Sequence, residues 1–92
     1  MPALSASEVE SLLLTVPTWH LEAGELVRIF KFEDFRASLR FVNQVGDLAE
    51  ASSHHPDIDI RYNRVRLALV THDAGGLTEK DFSLAQQADR LI

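Results

Sequence analysis

Ser53-His54-His55-Pro56 sets two imidazoles side by side at the end of a stretch with helical periodicity. A third histidine, His72, follows one predicted hairpin later, and carboxylates stand at Glu50 and Asp81. Histidine is the side chain that both gives and takes protons near neutral pH. Several in one place suit a reaction that needs a general acid and a general base together. Pro56 biases His55 toward extended backbone, so the pair sits where a helix stops and a strand begins. On local spacing alone, a solvated polar loop accounts for the pair as well as a site does.

Composition narrows the chemistry. The 92-residue chain has no cysteine, which excludes disulfides, thiolate metal centres and a cysteine nucleophile. A formal net charge of −5 argues against a mainly electrostatic nucleic-acid binder. A hydrophobic content of 46% is that of a globular domain. No apolar run approaches the ~20 residues that span a bilayer, so no membrane partner is expected. No basic-then-apolar leader opens the chain. The expectation is a soluble cytoplasmic protein, one domain over residues 1–92, with a core thin enough that self-association would help it. Adjacent histidines on extended backbone point to opposite sides, and no HExxH helix is present, so no metal is expected.

The elements that must position these residues are legible in order. Ser5 and Glu8 have capping-box spacing, with Val9, Leu12, Leu13 and Val16 at helical intervals behind them and Pro17 as the stop. Trp19 to Glu22 and Leu26 to Phe32 read as two strands turned by Ala23-Gly24, with His20 facing outward. Asp34 caps the longest helix, about residues 35–51. Its core stripe is predicted as Phe35, Leu39, Val42, Val45 and Ala49, with Ser38 and Gly46 as small members. Phe41 and Leu48 fall beside that stripe and read either as a broad core or as a subunit contact. Ile58, Ile60 and Tyr62 alternate with Asp57, Asp59 and Arg61 in a third strand, and Asn63-Arg64 is the predicted turn. Val65 to Thr71 is the fourth strand, and His72 ends it. Thr78 and Asp81 open a last helix whose inner face is Phe82, Ala85, Ala88 and Ile92. The order α-β-β-α-β-β-α predicts a two-layer α+β fold, a four-stranded antiparallel sheet with helices on one face.

The spacing can then be read whole. It runs Glu50, three residues, His54-His55-Pro56, five residues, Tyr62, nine residues, His72, eight residues, Asp81. This resembles the signature of the pterin-4a-carbinolamine dehydratases, with no departure between Glu50 and Asp81. The order of elements across the chain is also similar to theirs. The resemblance implies dehydration of 4a-hydroxytetrahydropterin, the spent cofactor of aromatic amino acid hydroxylases, to quinonoid dihydropterin, with no metal or cofactor. It implies that His54, His55 and His72 form the active-site set with Glu50 beside them. It also implies a dimer or tetramer, with a functional link to a hydroxylase. Pro56, Tyr62 and Asp81 complete the signature as substrate-binding or supporting positions. By residue type, Tyr62 reads as packed on the sheet or walling a pocket, and Asp81 as a helix-capping carboxylate. The fold family also resembles non-catalytic modules, namely a dimerisation cofactor of a homeodomain transcription factor and relatives that assist Rubisco assembly. An interaction module is therefore the alternative.

The implied chemistry suits the residue types. Hydroxide is a poor leaving group from an sp³ carbon, so the C4a hydroxyl needs a proton as it departs. The N5 lone pair pushes in and the N5 proton is lost, which takes one acid and one base. Glu50 lies four residues before His54, so a helix continued that far would put the two on one face, where the carboxylate would fix a tautomer.

Overall fold

The computed structural model describes residues 2–92. Helix α1, Ala6–Leu13, begins where the sequence places it. Ser5 Oγ accepts from the Glu8 amide, and the Glu8 carboxylate accepts from the Ser5 amide at 2.9 Å. That backbone donor holds the Glu8 carboxyl below the ordinary glutamate range. Strands β1, His20–Glu22, and β2, Glu25–Lys31, are joined by Ala23-Gly24. Both turn residues have positive φ, 51° and 78°, the backbone whose twist matches a two-residue hairpin. Gly24 takes it freely, whereas Ala23 does so against its Cβ.

Asp34 starts helix α2, Phe35–Ser52, by accepting from the Ala37 amide at 2.9 Å. Strands β3, Asp57–Arg61, and β4, Arg64–Leu69, follow, and helix α3, Glu79–Asp89, closes the chain. The sheet is antiparallel throughout in the order β1-β2-β4-β3. This is the expected α+β architecture. Leu26 lies opposite Leu69 and Phe30 opposite Val65, so alternate residues of the two central strands face the helices together. They join Phe41 and Val45 of α2 and Phe82, Leu84, Ala85 and Ala88 of α3 in one core. Asp89 ties α3 to the sheet side, accepting from Trp19 Nε1 at 2.9 Å and from Arg28 at 2.6 Å.

Several side chains sit elsewhere than the periodicity predicts. Phe41 is not beside the core but in it, 2% exposed, with ring centroids 4.5 Å from Phe30 and 4.9 Å from Phe32. Leu48 packs partly against the same cluster. The predicted stripe members Phe35 and Leu39 instead face solvent, 46% and 38% exposed. The helix is rotated so that Ser38, Phe41, Val45 and Ala49 point inward, because the three phenylalanines fill more of the interlayer space than Phe35 could. Leu84 is buried, whereas Ile92 lies past the end of α3 and is exposed. The β3–β4 turn is Tyr62-Asn63, one residue earlier than predicted. Tyr62, not Asn63, takes the positive φ of 52°. Asn63 instead pins the turn to β2, donating from Nδ2 to the Phe32 carbonyl at 3.2 Å.

Register places the functional end of the sheet. Asp57 pairs with Ala68. The chain entering β3, residues 54–56, therefore runs beside the chain leaving β4, residues 69–71. The histidine pair and His72 meet at that end.

Candidate active site

The site begins with the way α2 stops. Ser53 adopts the left-handed conformation, φ 54° and ψ 37°, and its amide donates to the Ala49 and Glu50 carbonyls. The His54 amide then reaches back to Ala49 O at 3.1 Å, which closes the helix end. A serine in this geometry carries backbone strain that glycine would not. The consequence is directional. Past the reversal, His54 turns inward, with 12% of its side chain exposed, and His55 turns outward, with 60% exposed. This is the opposite pointing expected of neighbours on extended backbone.

Each histidine meets a carboxylate, but not the pairing expected. Glu50 was expected to share a helix face with His54. The left-handed Ser53 breaks that face, and Glu50 Oε2 lies 2.6 Å from His55 Nε2 instead. His54 Nε2 lies 2.5 Å from Asp81 Oδ1. Asp81 has no exposed surface, and its second oxygen, Oδ2, accepts from Thr71 Oγ1 at 2.8 Å and from the Thr78 amide at 2.9 Å. Asp81 is thus the helix-capping carboxylate expected from its spacing, and it is at the same time the partner of His54. The two pairs differ in weight. The His55–Glu50 pair is solvated on both sides, where ion pairs contribute ~0–1 kcal/mol. The Asp81 pair is buried, and loss of one partner there leaves an unpaired group out of reach of water.

His72 is the first residue of a short 3-10 turn, His72–Ala74, held shut by the Thr71–Gly76 bridge. Its exposed ring faces the same cleft as the pair. That cleft has a volume of about 230 Å³ and is lined by Ser53, His54, His55, Thr71, His72 and Lys80, with Val70 and Asp73 at its margin. All three expected histidines therefore share one opening, with Glu50 and Asp81 behind two of them. Pro56 is half-buried between His55 and β3, where it carries the chain into the sheet.

Tyr62 does not join them. It lies on the turn at the far end of β3 and β4 with 64% of its surface exposed, so it neither packs on the sheet nor walls this cleft. Thr71, Thr78 and Lys80 are additions that residue-by-residue reading missed. Thr71 precedes His72, and Lys80 precedes Asp81, so both adjoin signature positions that could have drawn attention to them. Among the described residues, no three histidine, aspartate or glutamate side chains converge as metal ligands would.

The chain matches the family model for pterin 4 alpha carbinolamine dehydratase over residues 2–91. It belongs to the pterin-4a-carbinolamine dehydratase family. A dehydratase-family protein of Chloroflexus aurantiacus is 59% identical over 92 residues, covering 100% of this chain and 99% of its own. One from Acidobacterium capsulatum is 55% identical, with full coverage of both. Both relatives carry the dehydratase name provisionally. A crystal structure from Brucella melitensis, described as a transcriptional coactivator/pterin dehydratase, superposes with a TM-score of 0.93 at 33% identity over 97% of each chain. A pterin dehydratase-like protein described as a RuBisCO assembly factor of the alpha-carboxysome shares the fold at 22% identity. Its TM-score is 0.65 over 79% of this chain and 84% of that one. The names of these relatives thus include a provisionally named dehydratase and a coactivator/pterin dehydratase. The histidine cleft is the part of this dehydratase-family chain that bears on which kind it is.

Proposed function

We propose that this chain removes water from a 4a-hydroxytetrahydropterin to give the quinonoid dihydropterin, recycling the spent cofactor of an aromatic amino acid hydroxylase. The observation that carries the reading is the convergence of His54, His55 and His72 on one open cleft, two of them backed by carboxylates. The residues suffice for the reaction without help from another group. One imidazolium gives its proton to the C4a hydroxyl as the C4a–O bond breaks, and water leaves. The N5 lone pair forms the C4a=N5 bond, and a neutral imidazole takes the N5 proton. One histidine loses a proton and another gains one, so the set returns to its starting state by exchange with solvent. The cleft is open rather than sealed, in keeping with a reaction whose product is water. The test is direct. Purified protein added to freshly formed 4a-hydroxytetrahydropterin should speed dehydration above the spontaneous rate, and no acceleration at micromolar protein would refute the reading.

A second reading, partner binding without catalysis, is favoured by the exposed apolar stripe of Phe35 and Leu39 on α2. The coactivator description of the Brucella melitensis relative points the same way. An inactive chain that captures a partner through α2 would support it.

A further inference from the structure

Hydrogen-bond accounting around Asp81 has a single solution. Thr71 Oγ1 donates its only proton to Asp81 Oδ2. Thr71 Oγ1 also lies 2.8 Å from Thr78 Oγ1, so in that contact it must be the acceptor, and the Thr78 hydroxyl the donor. Thr78 Oγ1 in turn accepts from the Lys80 amide at 3.3 Å. The chain of donors therefore runs one way, from the start of α3 through Thr78 and Thr71 into Asp81. Thr78 is 1% exposed and Asp81 0%, so solvent does not reach the far ends of this chain, whereas Thr71 between them lines the cleft. With Oδ2 filled by two donors, Asp81 presents Oδ1 alone to His54 as an acceptor.

We propose that Thr71, backed by Thr78, is a positioning residue that locks His54 in the Nε2–H tautomer and leaves Nδ1 as the nitrogen offered to the cleft. A carboxylate is acceptor-only, so the proton between His54 and Asp81 belongs to Nε2. The bare Nδ1 is then the atom that takes the N5 proton of the substrate. The imidazolium so formed keeps its Nε2 proton directed at Asp81, and no proton passes to the carboxylate. Thr71 also reaches the second half of the site. Its backbone bonds Gly76 and Ala74 and so holds the turn that begins at His72. One residue thus fixes the ring of His54 through its hydroxyl and the placement of His72 through its backbone. The catalytic consequence rests on the dehydratase reading, whereas the tautomer does not.

The experiment separates the two. Nitrogen-15 NMR of the ring nitrogens, on unliganded protein at a pH where the His54 ring is neutral, should show a protonated Nε2 and a bare Nδ1. A bare Nε2, or an even mixture of tautomers, would overturn the inference whatever the activity. Thr71→Val removes the hydroxyl but keeps the shape and the backbone bonds. Without that donor the Asp81 carboxylate is held at Oδ2 by the Thr78 amide alone and can turn away from His54 Nε2, so the ring should move toward a tautomer mixture and kcat should fall, with KM little changed. Thr71→Ser restores the hydroxyl and should return both readouts to near the parent. Thr71→Val with an unchanged tautomer would overturn the inference. Should Thr71→Val fail to fold, Thr71→Ala removes the same hydroxyl, and an unchanged tautomer in it would overturn the inference. A parent chain with no dehydratase activity but the stated tautomer would remove the proposed function and leave this inference standing.

Discussion

His54 Nε2 and Asp81 Oδ1 lie 2.5 Å apart across 27 residues of chain, with the carboxylate wholly buried. The other histidine–carboxylate pair, His55 and Glu50, is closed at 2.6 Å, yet the two side chains are 60% and 80% exposed. Nearly equal distances therefore conceal unequal energetics. Burial decides which pair the fold depends on.

Asp81→Asn should accordingly destabilise the protein by ~3 kcal/mol, since both carboxylate oxygens accept from donors and an amide NH2 in place of either one leaves a buried donor facing a donor and weakens the α3 cap. Glu50→Gln should change stability by less than ~1 kcal/mol. Urea unfolding of the two variants checks this. Equal losses would mean that the exposure difference does not govern the pairs.

The three histidines of the cleft give the second prediction. His54→Ala, His55→Ala and His72→Ala should each lower turnover, with a loss of ~10²–10⁴ at whichever residue transfers a proton. Steady-state kinetics on a 4a-hydroxypterin, with circular dichroism to establish folding, makes the measurement. Unchanged turnover in all three would remove the catalytic reading.

A rate that needs one protonated and one unprotonated imidazole must rise and then fall with pH. After subtraction of spontaneous dehydration, the profile should be a bell centred within about pH 5 to 8, the span in which unperturbed histidine changes charge. Its two limbs belong to the coupled set rather than to single residues. A flat corrected profile, measured where chemistry limits the rate, would count against histidine acid–base catalysis.

The architecture was legible because its boundaries are made locally. Ser5, Asp34 and Thr78 cap their helices through bonds to residues two or three positions on, which sequence displays. The convergence of His54, His55 and His72 was legible as spacing, and register then brings it about. The pairing of His54 with Asp81 was not. It depends on a serine taking a left-handed conformation that its residue type does not announce, and on α3 arriving from 27 residues away. The place of Tyr62 was hidden by a one-residue error in the turn, which moves it from a strand face to an exposed tip. The rotation of α2 was missed for a different reason. Phe35, Leu39, Phe41 and Val45 are all apolar, and only the packing of Phe41 between Phe30 and Phe32 selects which of them face inward.

That rotation moves the expected subunit contact. Phe41 cannot serve in it, and Phe41→Glu would unfold the chain rather than split an assembly, given that even Phe→Ala in a core costs ~3–5 kcal/mol. The exposed face of α2 instead carries Phe35 and Leu39, one turn apart, while Val42 farther along the helix is half-buried against the core. Arg36 and Arg40 flank its start, and Asp47 and Glu50 flank its end. A second α2 laid antiparallel would set each basic end against an acidic one, as a two-fold contact requires. The expected outcome is at least a dimer at micromolar concentration. Phe35→Glu with Leu39→Glu should lower the mass by light scattering and leave the circular dichroism intact. A monomeric parent would sink the idea. An unchanged oligomer in the double variant would move the contact to a sheet edge. There β3, read antiparallel against a second β3 about Asp59, brings Asp57 opposite Arg61.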